Sequence, residues 1–285
     1  MPELPEVETI REDLKKRILH KKIKTLEVHQ VSLIHGKDVV KIVEGNSIKD
    51  IERYGKLLVF VLAKPDKFLL IHLKMTGQLI YQMKSCIVAG GHVQSEADIN
   101  QLPSKHTHII FRFADNTTLY FNDVRRFGYI KLVDQKAKDI AVAKYGVDPT
   151  SKEFTIKKLM ELGGKKKGNI KTLLLNQKEI AGIGNIYADE ICFASGVRPD
   201  RRVGTLKESD YKKIVDCSKK ILKLSIKHRG TTFSNYRDCD GRKGNYVKYL
   251  KVYGRAKEKC LVCDTQLKSL RVAGRGTVFC SGCQK

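Results

Sequence analysis

Cys260-Leu261-Val262-Cys263 and, sixteen residues later, Cys280-Ser281-Gly282-Cys283 decide the fold at the end of this 285-residue chain. Two Cys-x-x-Cys knuckles at this separation suit one tetrahedral Zn²⁺ held by four thiolates. Two disulfides are the alternative. Four further cysteines are scattered and we recognise no signal peptide, which favours reduced thiols. We therefore expect one structural zinc, with no open coordination position, and no organic cofactor.

The segment between the knuckles predicts a β-hairpin. Its tip reads Ala273-Gly274-Arg275-Gly276, and the glycines on both sides of Arg275 predict a tight turn that directs this arginine outward. An arginine that is merely exposed on a polar turn would give the same pattern.

The opposite end of the chain, Met1-Pro2-Glu3-Leu4-Pro5-Glu6-Val7, carries a proline behind the initiator methionine and a carboxylate beside it. Removal of Met1 would leave a secondary amine, and because N-terminal amines have a pKa of about 8, part of it is neutral at pH 7. Its attack on an aldehyde-level carbon, such as a sugar C1′, gives a cationic iminium. The alternative is that Pro2 and Pro5 only begin a helix, whose first turn also suits glutamate.

The composition points to a polyanionic partner. Lysine and arginine number 55 against 31 acidic residues, a formal net charge of +24. The basic residues are spread along the chain, and the longest apolar run covers only residues 57–63. Nucleic acid is therefore favoured over a membrane.

The apolar periodicity predicts an α+β protein of several domains. Helical spacing over residues 5–19 gives an N-terminal helix, and short β-branched and aromatic runs between about 22 and 133 give a β-sandwich or barrel. Residues 84–105 are polar and contain Gly90-Gly91, so we expect a long loop there. Helical spacing returns over residues 153–228. We expect an N-terminal β-sandwich domain at 1–134, a linker at 135–152, a helical domain at 153–245 and a zinc-finger hairpin at 246–285.

Two features of the helical half suit phosphate binding. Gly182-Ile183-Gly184-Asn185 would present backbone N–H groups and a side-chain amide at a helix start, and Lys165-Lys166-Lys167 with Lys171 adds positive charge. An ordinary helix cap and a solvated lysine run would look the same. Together the two features resemble a helix–two-turn–helix DNA-binding motif.

These separated motifs resemble the formamidopyrimidine-DNA glycosylase family along the whole chain, in the expected order. They are the start Pro2-Glu3-Leu4-Pro5-Glu6-Val7-Glu8-Thr9, the turn Gly184-Asn185-Ile186-Tyr187, and the Cys₄ finger preceded by Val252-Tyr253-Gly254-Arg255. The resemblance implies a monomeric base-excision repair enzyme of the prokaryotic cytoplasm, associated with the nucleoid. Such an enzyme acts on double-stranded DNA that contains oxidised bases or abasic sites. It excises oxidised purines through a proline Schiff base and nicks the strand by β,δ-elimination, with the DNA in a groove between two domains.

The resemblance also implies roles for individual residues. Pro2 would be the nucleophile and Glu3 the general acid, with Lys56 and Arg275 assisting catalysis. Met75, Arg125 and Phe127 would fill the space left by the flipped base, as an unstacked duplex requires. The remaining DNA-binding positions implied are His106, Lys166, Lys171 and Asn185.

The resemblance gives little evidence for the choice of substrate. The endonuclease VIII branch typically has glycine at the position of Leu4. The presence of Leu4 therefore favours oxidised purines over oxidised pyrimidines as substrates, although the pyrimidine-specific branch remains an alternative. Residues 231–245, which correspond to the base-capping loop of the family, are the least recognisable stretch. A non-enzymatic zinc-ribbon binder of nucleic acid is the alternative from another class, and it would give Pro2 and Glu3 no role.

Overall fold

The computed structural model describes residues 2–83, 86–91, 101–164, 167–231 and 245–285. The chain divides into two compact units. The first contains Met1–Ala143 and His228–Val247, and the second contains Lys144–Lys227 and Lys248–Lys285.

The first unit begins with helix α1, Leu4–Ile18, as the periodicity predicts. Its apolar residues are spaced three or four apart, so they line one face, and that face is buried. Glu6 lies in the first turn and basic residues occupy the last turn, at the helix ends where their charges interact favourably with the dipole.

Ten strands follow in the first unit and form two five-stranded sheets. One sheet has the order β1-β8-β9-β6-β7 and the other the order β2-β10-β5-β4-β3. The strands are β1 (Ile23–Val28), β2 (Ile34–His35), β3 (Ile48–Tyr54), β4 (Leu57–Leu62), β5 (Phe68–His72), β6 (Gly77–Met83), β7 (Cys86–Gly91), β8 (Thr107–Phe113), β9 (Thr118–Asp123) and β10 (Tyr129–Val133).

The main core of this unit is an apolar cluster to which both sheets and α1 contribute. Phe111 of one sheet, Phe60 of the other and Ile10 of α1 all belong to it and are at most 4% exposed. The β-sandwich that we expected is therefore confirmed. A short helix that the sequence did not indicate, α2 (Val39–Val43), lies between β2 and β3.

The expectation of a loop throughout residues 84–105 is wrong in part, because β7 pairs antiparallel with β6 from Met83↔Cys86 to Gln78↔Gly91. The glycines that suggested a loop serve close packing instead. A Cβ placed on Gly90 would lie 2.2 Å from the Cγ1 atom of Ile10, so α1 approaches the strand backbone there.

Residues 135–152, expected to be a linker, begin with helix α3, Gln135–Val142. The Asp134 carboxylate caps this helix by accepting the Ala137 N–H at 2.8 Å. The Lys138 ammonium, 2.8 Å from the Glu52 carboxylate, ties α3 to β3.

The second unit is helical and ends in the finger hairpin. Its helices are α4 (Ile156–Gly164), α5 (Ile170–Leu175), α6 (Asn185–Ala194) and α7 (Glu208–Lys227), and its hairpin strands are β11 (Lys268–Val272) and β12 (Arg275–Phe279). The Tyr187 and Ser225 hydroxyls, 2.6 Å apart, join α6 to α7. Phe193 of α6 shares a buried apolar cluster with Val278 of the hairpin and with Cys260 and Cys280.

Among the residues that the structure describes, no helix is both long enough and apolar enough to span a membrane.

Candidate active site

The N-terminal pair lies at the head of α1. Pro2 is buried, and Glu3 is 2% exposed and occupies the N-cap position. Glu3 and Glu6 form a capping box, in which the Glu3 N–H donates to Glu6 Oε2 at 2.9 Å. The structure therefore confirms that these residues begin a helix, which also fixes Glu3 in place, and the catalytic role of the pair remains a prediction.

The second oxygen of Glu6 holds Thr231, the first residue of the expected base-capping loop. Its Oε1 atom accepts the Thr231 N–H at 2.8 Å and the Thr231 hydroxyl at 3.0 Å. Gly230 has φ +81°, and a Cβ on it would lie 2.6 Å from the same oxygen, so only glycine fits. Residues 232–244 of that loop lie outside the described residues.

Lys56 follows a turn at Gly55, which has φ +57°, and is 6% exposed. Arg53 holds this turn, since its Nη1 donates to the Gly55 carbonyl at 3.1 Å and its Nε lies 2.5 Å from Glu8 Oε2 in α1. Burial raises the pKa of Glu8, but hydrogen bonds and charge from Arg11 and Arg53 outweigh it and hold the pKa of this carboxyl below its usual range. Lys56 is thereby tied to the helix that begins after Glu3.

The loop that carries Met75 is fixed by His72, which sequence reasoning missed. The Lys74 N–H donates to His72 Nδ1 at 2.9 Å, so this nitrogen is unprotonated. Burial lowers the pKa of His72 to about 3, and the charges of Lys74 and Lys56 act in the same direction. Met75, beyond this turn, is 40% exposed.

The structure brings the three expected void-filling side chains together. Arg125 Nη1 lies 3.3 Å from the sulfur of Met75, and the Arg125 guanidinium stacks over the Phe127 ring at 4.7 Å from its centroid. Phe127 is 53% exposed. An exposed cluster of thioether, guanidinium and aromatic ring suits contact with unstacked bases, and the role itself remains a prediction.

The stretch Lys105-His106-Thr107-His108 contains two histidines that differ in environment. His108 lies on the strand face opposite Ile109, as alternation predicts, but it is 3% exposed and its Nε2–H donates to the Asp123 carbonyl at 2.7 Å. Burial holds the pKa of His108 below its usual value. His106 is half-buried, and its N–H donates to Ser104 Oγ at 3.2 Å. Its phosphate contact remains a prediction.

We expected Lys171 to contact the DNA backbone; in the structure its side chain is 0% exposed, and the DNA contact remains a prediction. Its Nζ lies 2.6 Å from Asp189 Oδ1 and donates to the Thr277 hydroxyl at 2.7 Å. The sequence alone could not show this burial, because α5, α6 and β12 each supply one of the three groups. Lys166 falls outside the described residues.

Asn185, at the start of α6, donates its side-chain amide to the Gly276 carbonyl at 3.0 Å. The hairpin turn is Ala273-Gly274, with φ +51° and +71°, rather than a turn centred on Arg275. Arg275 is the first residue of β12, pairs with Val272, and is exposed. Asn185 therefore fixes the hairpin backbone next to the exposed arginine.

Glu190 is a second residue that the sequence did not single out. Its carboxylate accepts the N–H groups of Lys251, Val252 and Tyr253, each at 2.9 Å. Burial raises the pKa of Glu190, and these three N–H donors oppose the increase. The carboxylate anchors the segment that leads into the finger. Its signal in the sequence was an acidic pair, Asp189-Glu190, inside an otherwise apolar helix.

The four cysteines of the finger form one cluster, in which all four sulfurs lie within 4.8 Å of one another. The closest sulfurs are 3.4 to 3.8 Å apart, too far for a disulfide and near the ~3.8 Å edge expected for thiolates that bind one tetrahedral zinc at 2.3 Å. Cys260, Cys263, Cys280 and Cys283 thus fit a closed structural zinc site, and the disulfide alternative is wrong.

Comparison with known families divides the chain into three modules. Residues 1–130 match the formamidopyrimidine-DNA glycosylase N-terminal domain, residues 145–237 match the H2TH domain of the same family, and residues 257–285 match a zinc finger found in FPG and IleRS. The β-sandwich, the helical module and the finger together define a class of DNA glycosylases with an H2TH domain and a zinc finger.

The chain belongs to the formamidopyrimidine-DNA glycosylase family. It is 37% identical to the formamidopyrimidine-DNA glycosylases of Desulfitobacterium hafniense, over 289 residues, and of Listeria monocytogenes, over 290 residues, with full coverage of both chains in each case.

Solved structures of the same family are similar to this chain. A complex of Lactococcus lactis FPG with DNA containing Fapy-dG has a TM-score of 0.85 and 33% identity, and covers 99% of this chain and 100% of that one. A complex of Lactococcus lactis Fpg with DNA containing an abasic site has the same score and identity over 99% of each chain.

Proposed function

We propose that this protein is a DNA glycosylase and abasic-site lyase of base-excision repair that removes oxidised purines and then nicks the strand by β,δ-elimination. The observation that carries the proposal is the buried Pro2-Glu3 pair at the head of α1, in a chain similar over its full length to formamidopyrimidine-DNA glycosylases. The bacterial relatives favour action at the nucleoid in the prokaryotic cytoplasm.

The chemistry begins once Met1 has been removed. The lone pair of the Pro2 nitrogen forms a bond to C1′ of the damaged nucleotide, and the N-glycosidic electron pair leaves with the base. Glu3 delivers a proton to the sugar ring oxygen, so the ring opens and a cationic iminium joins Pro2 to C1′. The Pro2 nitrogen gives up its N–H proton to water before the ring opens, and the departed base takes up a proton from water, so the protons balance.

The iminium then acts as an electron sink. Loss of a C2′ proton expels the 3′ phosphate by β-elimination, and loss of a further sugar proton expels the 5′ phosphate by δ-elimination. Hydrolysis of the iminium releases the opened sugar and restores the Pro2 amine. Arg275, a permanent cation, would favour departure of the phosphates.

Each unit supplies contacts to the duplex in this proposal. In the first unit, Lys56 would assist catalysis and His106 would bind a phosphate, and Met75, Arg125 and Phe127 would occupy the vacated stack. In the second unit, Asn185 and Arg275 would bind the backbone, as would Lys166. The zinc would hold the finger, and thus Arg275, in shape.

Borohydride trapping tests the proposal. A duplex with a single 8-oxoguanine should give a covalent protein–DNA adduct that maps to Pro2, because borohydride reduces the iminium to a stable amine. Glu3→Gln should bind the duplex and lose base excision, since an amide cannot deliver the proton. Native excision by Pro2→Ala, or trapping at another residue, would contradict the assignment.

A panel of single-lesion duplexes tests the substrate. Formamidopyrimidine and 8-oxoguanine should be excised faster than oxidised pyrimidines. The opposite order would assign the chain to the endonuclease VIII type of specificity. Duplex binding without any adduct would favour the non-enzymatic binder.

A further inference from the structure

Two buried polar residues, Thr76 and Asp123, join the loops that carry the exposed Met75–Arg125–Phe127 cluster. Thr76 is 6% exposed and Asp123 is 0% exposed. Thr76 follows Met75 directly, and Asp123 ends β9, two residues before Arg125. Gly77 pairs with Asp123 in the sheet, so the two loops leave neighbouring strands at the same edge.

The Asp123 carboxylate gathers donors from both loops. Its Oδ1 atom accepts the Thr76 hydroxyl, in a short hydrogen bond, and the Arg125 N–H at 3.1 Å. Its Oδ2 atom accepts the Gly128 N–H at 2.6 Å. The Arg125 N–H also lies 3.1 Å from Thr76 Oγ1, so this hydroxyl donates to one group and accepts from another.

The backbone of Asp123 is fixed as well. Its N–H donates to the His106 carbonyl at 3.0 Å, and its own carbonyl accepts Nε2–H of His108 at 2.7 Å. The carboxylate therefore extends from a rigid strand end. Gly128 leaves no room for a side chain, because a Cβ placed on it would lie 3.0 Å from Asp123 Oδ2, so the loop closes directly on the carboxylate.

We propose that Thr76 and Asp123 are positioning residues that set the spacing between Met75 and the Arg125–Phe127 pair, and so control extrusion of a damaged base from intact duplex DNA. The inference rests on the proposed function. A thioether and a stacked arginine can fill a vacated base position only if they stand at a fixed separation, and the Thr76 hydroxyl links their loops through its hydrogen bonds to Asp123 and to the Arg125 N–H. Neither residue contacts the reacting atoms.

The test compares two substrates for each variant, an 8-oxoguanine duplex and a duplex with a preformed abasic site. The abasic site has no base to extrude, so it reports the lyase chemistry alone. Thr76→Val removes the hydroxyl at nearly constant volume and should lower the ratio of excision rate to abasic cleavage about tenfold, as expected for a lost hydrogen bond to a charged group. Thr76→Ser keeps the hydroxyl and should restore most of that ratio.

Three further measurements sharpen the test. Asp123→Asn should reduce the ratio more than Thr76→Val does. One oxygen of the carboxylate becomes an NH₂ group, which cannot accept a hydrogen bond from the donor that faces it. In a Met75→Ala background, Thr76→Val should cause little additional loss, since there is no thioether left to position. A 2-aminopurine placed beside the lesion should show a smaller extrusion signal with Thr76→Val.

The contrary results distinguish failure of the positioning role from failure of the proposed function. A ratio unchanged by Thr76→Val, parallel loss on both substrates, equal failure of Thr76→Ser, or additive losses in the Met75→Ala background would each overturn the positioning role. A wild-type protein that gives no borohydride adduct on either duplex would instead refute the proposed function on which it rests.

Discussion

The Nζ atom of Lys171 lies 2.6 Å from Oδ1 of Asp189, and the two side chains are 0% and 1% exposed. The same ammonium donates to Thr277 in β12, two residues after Arg275. Burial raises the pKa of Asp189 to about 6, and the charge and hydrogen bond of Lys171 oppose that increase. Lys171 therefore holds the finger hairpin against the helices of its unit.

Replacement of Lys171 by methionine should lower the free energy of unfolding by about 3 kcal/mol, because Asp189 is left buried without its cation. Denaturant unfolding measures this loss. DNA affinity should fall with the displaced hairpin, while the slope of log affinity against log salt should stay the same. A direct phosphate contact would instead reduce that slope by about 0.9.

Lys167→Met is the matched control, since Lys167 is exposed in the segment just before α5 and its change should alter stability by less than about 0.5 kcal/mol. Combining Lys171→Met with Asp189→Leu should recover part of the lost stability. Unchanged stability together with a reduced salt slope would instead show that Lys171 contacts the DNA directly.

The elements of the fold that were predictable are those with clear periodicity. α1 spaces its buried apolar residues three or four apart, and β8 is a short β-branched and aromatic run in which every residue except Arg112 is buried, so their patterns suffice. β7 and α3 were missed for a physical reason. In β7 glycine serves a close helix contact, and in α3 half of the eight residues of Gln135–Val142 are polar because the helix lies at the surface.

The candidate site was predictable only where its residues form local motifs. The Cys-x-x-Cys pairs and the Pro2-Glu3 start are contiguous in the sequence. By contrast, the burial of Lys171 depends on Thr277, 106 residues away, and the Thr76–Asp123 link spans 47 residues. Sequence reasoning recognised Lys171 as a cation but had no means to assign its partner.

His72 predicts a pH dependence of stability. Its pKa is lowered to about 3 in the folded protein, against a usual 6.5, so between these values the unfolded chain binds the additional proton. The contribution of His72 to the free energy of unfolding is fully present above about pH 6.5 and is lost progressively as the pH falls below that value. We expect the loss to reach about 2 kcal/mol at pH 4.5.

The measurement is urea unfolding from pH 7.5 to 4.5 for the wild type and for His72→Asn. Asparagine offers an oxygen near the position of Nδ1 and does not titrate, so the variant should lose less stability over this range. Identical pH profiles for the two proteins would show that His72 is protonated in the folded state without penalty.

Loss of zinc should affect DNA binding rather than bond cleavage. Cys263→Ser should release the metal, measured by elemental analysis, and weaken DNA binding about tenfold or more, since metal binding and the folding of the finger are coupled. Cys217→Ser, a partly buried thiol of α7 outside the cluster, should change neither property. Retention of one zinc with native DNA affinity in Cys263→Ser would contradict the Cys₄ assignment.

Arg275 should separate the two eliminations. In the proposed mechanism β-elimination needs only the Pro2 iminium, whereas δ-elimination must expel a second phosphate from an opened sugar and depends more on a nearby cation. Arg275→Ala should bind lesion DNA about tenfold more weakly, as expected for one charge-assisted hydrogen bond, and at saturating protein should accumulate the β product with its unsaturated aldehyde end. Gel separation of the two cleavage products measures their ratio.

Arg271→Ala provides the matched control for Arg275→Ala. Arg271 is exposed on the neighbouring strand of the same hairpin, where it pairs with Gly276, so the two variants lose the same charge from nearly the same place. Arg271→Ala should keep the wild-type ratio of β to δ products because the Pro2 iminium and Arg275 are unchanged. If both variants keep that ratio at saturation, Arg275 takes no part in the second elimination and serves only to bind DNA or to form the hairpin.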